Sequence, residues 1–121
     1  MYATIYSIIQ NRGGDRLDAQ LKKGVLDLMV LSLLKRMDAY GYVIYQRLNA
    51  TLGISESTIY PILRRMVKAG YMDTYLKPSG LGPARKYFTL TETGHDQHQR
   101  LFKSWRSFET TVNTFIEGEF E

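Results

Sequence analysis

The stretch Ile54-Ser-Glu-Ser-Thr-Ile-Tyr-Pro-Ile-Leu-Arg-Arg-Met-Val-Lys-Ala-Gly-Tyr71 sets hydroxyls and cations at a spacing suited to nucleic-acid contact. Ile59, Leu63, Met66 and Val67 recur at helical intervals and give one apolar face. The opposite face offers Ser57, Thr58, Tyr60, Arg64 and Lys68. A helix of this kind can enter a DNA major groove by its N-terminal end, with hydroxyls near bases and phosphates and cations toward the backbone. Tyr60 lies away from the apolar face, so a contact outward is favoured over simple packing. Arg65 and Lys68 read as solvated charges, and Pro61 as structural. Further on, Gly82-Pro-Ala-Arg-Lys-Tyr-Phe-Thr-Leu-Thr-Glu-Thr-Gly94 reads as a basic loop tip running into a strand, with Arg85 and Lys86 as its cations. A helix followed by a basic hairpin outlines a winged helix-turn-helix.

Charge distribution agrees with that outline. Ser57 to Thr91 holds six cations against the single anion Asp73, a local +5 in a chain of net charge +4, so the remainder sums to −1. A basic patch that coincides with the candidate reading head is an electrostatic footprint for phosphate, although a solvated cationic face has the same composition.

Other chemistry is sparse. His95 and His98 are three apart, close enough to share a metal, but no nearby carboxylate or thiol completes a ligand set, so they are read as surface or seam histidines. No Ser-His-Asp arrangement, paired-carboxylate site or phosphate-cradling Gly-rich loop ending in Lys-Ser or Lys-Thr is present, which argues against an enzyme, a metal or a cofactor. The chain has no cysteine, which excludes disulfides and suggests a cytoplasmic setting. Val25–Leu34 is apolar but broken by Asp27 and Ser32 and too short to span a bilayer. Met1–Ile9 lacks the basic start of a signal peptide.

The elements that must position these residues are mainly helical, with a small β-hairpin. A first helix is expected from about Asp15 to Met37, apolar nearly all the way round. Such a helix must be covered on most sides, which one domain of 121 residues can hardly do. Asp38-Ala39-Tyr40-Gly41 reads as a turn and Tyr42–Leu52 as a second helix, with Val43, Ile44 and Leu48 inward. Gly53 bends the chain before the third helix, whose N-cap is Ser55 or Ser57. Tyr71–Lys77 and Arg85–Thr91 alternate as strands around a glycine-rich, flexible tip, Pro78 to Ala84. Thr91 caps a last helix in which Leu101, Trp105, Phe108, Val112 and Phe115 step by 4, 3, 4 and 3, a heptad seam that should meet another chain or the first helix. Trp105, the sole tryptophan, either fills that seam or frames a slot for planar aromatic ligands. The expected organisation is an N-terminal extension (1–14), a DNA-binding unit (15–91) and a C-terminal dimerisation helix (92–121).

The run Leu21 to Leu34, then Tyr40-Gly-Tyr42, then Ser57-Thr-Ile-Tyr-Pro-Ile-Leu-Arg-Arg65, then Gly82 to Gly94 resembles the PadR family of bacterial transcriptional regulators. The likeness runs from about Asp15 to the C-terminus, and the single helix after the wing matches the short-chain subgroup. It implies a homodimer held by the first and last helices, and a repressor that leaves double-stranded DNA on binding a small molecule or under stress. By matching position it implies DNA contacts at Ser57, Thr58, Tyr60 and Arg64, wing contacts at Arg85 and Lys86, and a phosphate clamp at Lys22 and Lys23. Trp105 falls where the multidrug-sensing branch would stack a planar aromatic effector. Ala84 departs from a site often basic in relatives, which is expected to soften contact at the wing tip. Two rival readings remain: a winged helix used for protein contact, and a protein whose main activity is ligand capture.

Overall fold

The computed structural model describes residues 16–119, with side chains described from residue 25 onward. Residues 1–14, read above as an N-terminal extension, lie outside the described residues. Helix α1 spans Arg16–Arg36 and buries Leu26, Val30, Leu31 and Leu34. Lys35 and Arg36 fill its last turn, where cations complement the helix dipole. Ser32, midway along, donates its hydroxyl proton to the Leu28 carbonyl at 2.7 Å, the usual way a helix accommodates a serine.

A short strand β1, Ala39–Tyr40, leads directly into α2, Gly41–Leu52. The segment from Asp38 to Gly41, expected as a turn, therefore carries a third strand. It pairs antiparallel with the hairpin through Ala39 with Phe88 and Tyr40 with Tyr87. Helix α2 ends at Gly53, whose φ of 69° is left-handed and easy only for glycine, with its N–H bonded to the Asn49 carbonyl at 2.8 Å. Asn49 closes the bend by donating from Nδ2 to the Ile54 carbonyl at 3.1 Å.

Helix α3 spans Glu56–Lys68. Of the two candidate caps, Ser55 occupies the position, in extended conformation. Pro61 then lies inside the helix, where its missing N–H leaves the Ser57 carbonyl without its usual partner; Ser57 is exposed, so water can satisfy it. Ile59, Leu63 and Met66 are buried as the periodicity requires. Full burial of such side chains stabilises the fold by about 1.5–3 kcal/mol each.

Strands β2, Met72–Ser79, and β3, Gly82–Leu90, continue past the ends expected from sequence and leave only Gly80 and Leu81 between them. The register shifts between Lys77 and Ser79, around Pro78, which cannot donate to the ladder. Gly80, at φ 81°, supplies the sharp reversal. The sheet order is β1-β3-β2. Helix α4, Glu92–Ile116, begins at Thr91 as expected: its Oγ1 accepts from the Gly94 N–H at 3.0 Å and donates to the Gly70 carbonyl at 2.6 Å. Leu31, Ile44, Ile59, Leu63 and Met72 meet at the centre of the core. Among the described residues no helix is long and apolar enough to cross a membrane.

Candidate nucleic-acid interface

The outward face of α3 meets the start of α2 and the base of the hairpin around a groove of about 550 Å³. Tyr42, Tyr60, Arg64 and Lys68 line one side, and Arg85 and Lys86 the other. Arg64, Lys68, Arg85 and Lys86 are all exposed. Four cations thus converge from two separate elements on one open concavity, which favours a polyanion over any neutral partner.

Tyr60 is half-buried, and its ring lies against the first residue of α2. A Cβ placed on Gly41 would come within 2.8 Å of Tyr60 Cε1, so the glycine makes room for the ring. Of the two readings posed from sequence, packing is seen, since the ring wedges on Gly41; the side chain also lines the groove. Burial first, then Glu56 and Tyr42, pushes the phenol above its ordinary pKa, so it remains a hydrogen-bond donor. Tyr42 projects beside it at 46% exposure. Sequence reasoning missed Tyr42 as a site residue; its only signal was the Tyr-Gly-Tyr spacing. The first turn of α2 carries neither a side-chain cap nor an acidic residue, so its amides are compatible with a phosphate nearby.

The remaining expected contacts divide. Ser57 and Thr58 are exposed at the start of α3, where both hydroxyls bond Ser55 Oγ, at 3.0 and 3.1 Å. They line a second groove, on the other flank of α3. Lys22 and Lys23 fall within α1, and their side chains lie outside the described residues. Arg65, read as a solvated charge, instead forms a two-pronged pair with Asp27 of α1, with nitrogen–oxygen distances of 2.7 and 3.1 Å. The Asp27 hydrogen bond holds its guanidinium pKa above the ordinary value.

On the hairpin, each cation lies over an aromatic ring. Arg85 sits 4.7 Å from the Tyr40 centroid, Lys77 5.2 Å from Tyr87, and Lys86 5.8 Å from Phe88. Leu81 stands fully exposed at the tip.

The second groove, about 1000 Å³, runs between α1, α3 and α4 and is bordered by Val25, Leu28, Ile62, Leu101, Trp105 and Phe108. Along α4, Leu101, Trp105 and Val112 are half-buried while Phe108 and Phe115 are exposed, Phe108 at 55%. Trp105 and Phe108 are tilted neighbours at 6.5 Å. The buried flank of the helix carries His98, three residues before Leu101 on the same stripe, and Glu109, which the heptad spacing does not select. Glu109 has Arg106 at 3.6 Å. His98 Nε2 lies 2.9 Å from Ser32 Oγ, and because that hydroxyl spends its proton on Leu28, the imidazole must be the donor. Burial, then Lys35 and His95, lowers the His98 pKa. His95 is exposed, so the two histidines have different surroundings.

Known proteins share the sequence family and the fold. The family model described as "Transcriptional regulator PadR-like family" matches residues 30–100. The solved PadR-like transcriptional regulator from Bacillus cereus is 39% identical, with a TM-score of 0.75, over 83% of this chain and 99% of its own. A PadR family transcriptional regulator from Eggerthella lenta aligns over 97% of this chain and 96% of its own, at 27% identity and a TM-score of 0.76. Bacillus subtilis PadR, solved in complex with operator DNA, aligns over 64% of this chain and 46% of its own, at 27% identity and a TM-score of 0.59.

Proposed function

Because the chain belongs to the PadR-like family of transcriptional regulators, we propose that it is a homodimeric, cytoplasmic repressor that binds a pseudo-palindromic operator in double-stranded DNA and leaves it when a small molecule binds. The observation that carries this reading is the convergence of Tyr60 and Arg64 with Arg85 and Lys86 on one groove. In this reading α3 enters the major groove, with Ser57 and Thr58 at its leading end and Tyr60 and Arg64 along its flank. Arg85 and Lys86 neutralise phosphates beside it, and Lys22 and Lys23 clamp the backbone from α1. The fold shared with Bacillus subtilis PadR, which was solved on operator DNA, supports it.

Residues 15–91 form the DNA-binding unit of this proposal and 92–121 the dimerisation helix. Exposure of Phe102, Phe108 and Ile116 on α4 supports a second subunit, since apolar surface of this kind is rarely left to water. Leu101, Trp105, Phe108, Val112 and Phe115 would line the seam. Trp105 borders a groove that also reaches Ser57, Thr58 and Pro61, so a planar aromatic effector stacked there would rest against the recognition helix itself.

A mobility shift titrated with salt tests the reading. Phosphate neutralisation makes affinity fall steeply with salt, with a slope near −0.9 for each phosphate contacted. Absence of any shift at low salt sinks the proposal and favours a winged helix used for protein contact.

A further inference from the structure

We infer that Asp38 and Tyr75 are positioning residues for DNA binding: neither lies in the basic groove, yet together they fix the wing and its cations against the recognition helix. This inference rests on the DNA-binding reading above. Tyr40 of β1, Tyr87 of β3 and Tyr75 of β2 occupy one row across the sheet, since Tyr87 pairs with each of the other two. Side chains at directly paired positions share a face. Tyr75 and Tyr87 stack with centroids 5.6 Å apart, and Tyr87 and Tyr40 are tilted neighbours at 5.4 Å. Tyr75 Oη donates to Asp38 Oδ2 at 2.8 Å. The phenol therefore ties the outermost strand to the segment just before β1, across the central strand.

Two of the three hairpin cations are attached to this row. Arg85 lies over Tyr40 and Lys77 over Tyr87. The next residue after Tyr40 is Gly41, against which Tyr60 of α3 is wedged. A continuous path thus runs from Asp38 through Tyr75, Tyr87 and Tyr40 to Arg85 on one side, and through Gly41 to Tyr60 on the other. A two-stranded hairpin alone is marginally stable and free to swing. The tyrosine row and its Asp38 anchor give the wing a fixed pitch relative to α3, so that backbone and major-groove contacts form together.

The anchor is a carboxylate just before the edge strand of the sheet that carries these cations, which lets charge and position be separated by sign. If Asp38 acts only through charge, removing it relieves repulsion of phosphate, and Asp38→Ala and Asp38→Asn should both bind DNA at least as tightly as wild type. If it positions the wing, Asp38→Asn, which still offers Tyr75 an acceptor, binds as well as wild type. Asp38→Ala then binds more weakly despite its lost negative charge. Tyr75→Phe, which keeps the ring but not the hydroxyl, should resemble Asp38→Ala. Every phosphate that the wing no longer neutralises flattens the salt dependence by about 0.9 in slope. In an Arg85→Ala background the added effect of Asp38→Ala should shrink, because the two act through one wing.

The experiment measures mobility shifts of the full chain and these variants on a short mixed-sequence duplex across a salt series, with thermal melts to confirm folding. Asp38→Ala and Tyr75→Phe both weaker and flatter, with Asp38→Asn like wild type, supports the inference. Asp38→Ala at least as tight as wild type, or Tyr75→Phe with an unchanged slope, overturns it. Should Asp38→Ala fail to fold, Tyr75→Phe alone decides. A wild-type protein that shifts no duplex at low salt fails the DNA-binding reading itself, a result distinct from wild type binding and the variants matching it.

Discussion

Replacing Gly41 with alanine should lower DNA affinity while leaving the fold intact or slightly firmer. Gly41 is the first residue of α2 and has no left-handed backbone, so alanine fits its conformation. Alanine loses less backbone freedom than glycine on folding, and at this first helical position the gain is at most the about 0.5–1 kcal/mol found in helix interiors. Against it stands one close approach: the new methyl would lie 2.8 Å from Tyr60 Cε1, with Tyr60 Oη next at 3.3 Å. No backbone atom is among the near neighbours, so the ring rather than the chain must give way. Turning an aromatic side chain off its preferred rotamer costs roughly 0.5–1.5 kcal/mol. The two terms nearly cancel, and the melting temperature should move by no more than a few degrees. DNA binding has no such compensation. With Tyr60 in the DNA-contacting role proposed above, displacing it removes one specific interaction and weakens binding by about 1–3 kcal/mol. The assay pairs thermal melts with mobility shifts for Gly41→Ala, Tyr60→Ala and the double variant. The reasoning requires that Gly41→Ala cost little more once Tyr60 is already alanine. A Gly41→Ala protein that binds DNA like wild type refutes either the displacement or the role given to Tyr60.

Three further outcomes are expected. His98 has a folded-state pKa below its ordinary value, so the neutral imidazole stabilises the fold above about pH 6.5 and that stability is lost as the pH falls toward the lowered pKa; melts from about pH 7.5 down to about 5.5 should show wild type losing more than His98→Gln. Gly94→Ala should destabilise by about 1–3 kcal/mol or more in denaturant titrations, because its methyl would strike the Tyr71 carbonyl and the Leu90 side chain where α4 presses on the body. Phe108→Glu should shift sedimentation from dimer to monomer without lowering the helical signal, since the ring is already largely outside the monomer core.

Local chemistry explains what could be read from the chain alone. The buried face of α3 follows from the spacing of Ile59, Leu63 and Met66, and the start of α4 follows from the capping chemistry of Thr91. Both signals are contained within a few residues. Strand β1 has no such signal: two residues cannot alternate, and Ala39 and Tyr40 are extended because β3 is there to pair with them. The hairpin tip misled in the opposite way. Pro78, Gly80 and Gly82 suggest a slack loop, yet the proline only shifts the register, and pairing resumes with Ser79 against Gly82. On α4 the heptad identifies a face but not its neighbour. Helix α1 covers the edge that holds His98, which leaves Phe108 on the open edge.

What sequence hides most thoroughly is how cations are held. Arg85 and Lys86 are visible as charges, but Asp38 and Tyr75 are 37 positions apart and meet only because the sheet orders its strands β1-β3-β2. The five residues from Asp38 to Tyr42 then serve three elements at once. They supply the acceptor for Tyr75, the edge strand beneath Arg85, and the glycine that seats Tyr60. A segment that touches both the wing and the recognition helix transmits any change in one to the other, because close packing of this kind leaves no slack to absorb it. Affinity for DNA should therefore be more sensitive to substitutions in Asp38–Tyr42 than to substitutions at the exposed wing tip, where Leu81 touches nothing that positions a cation.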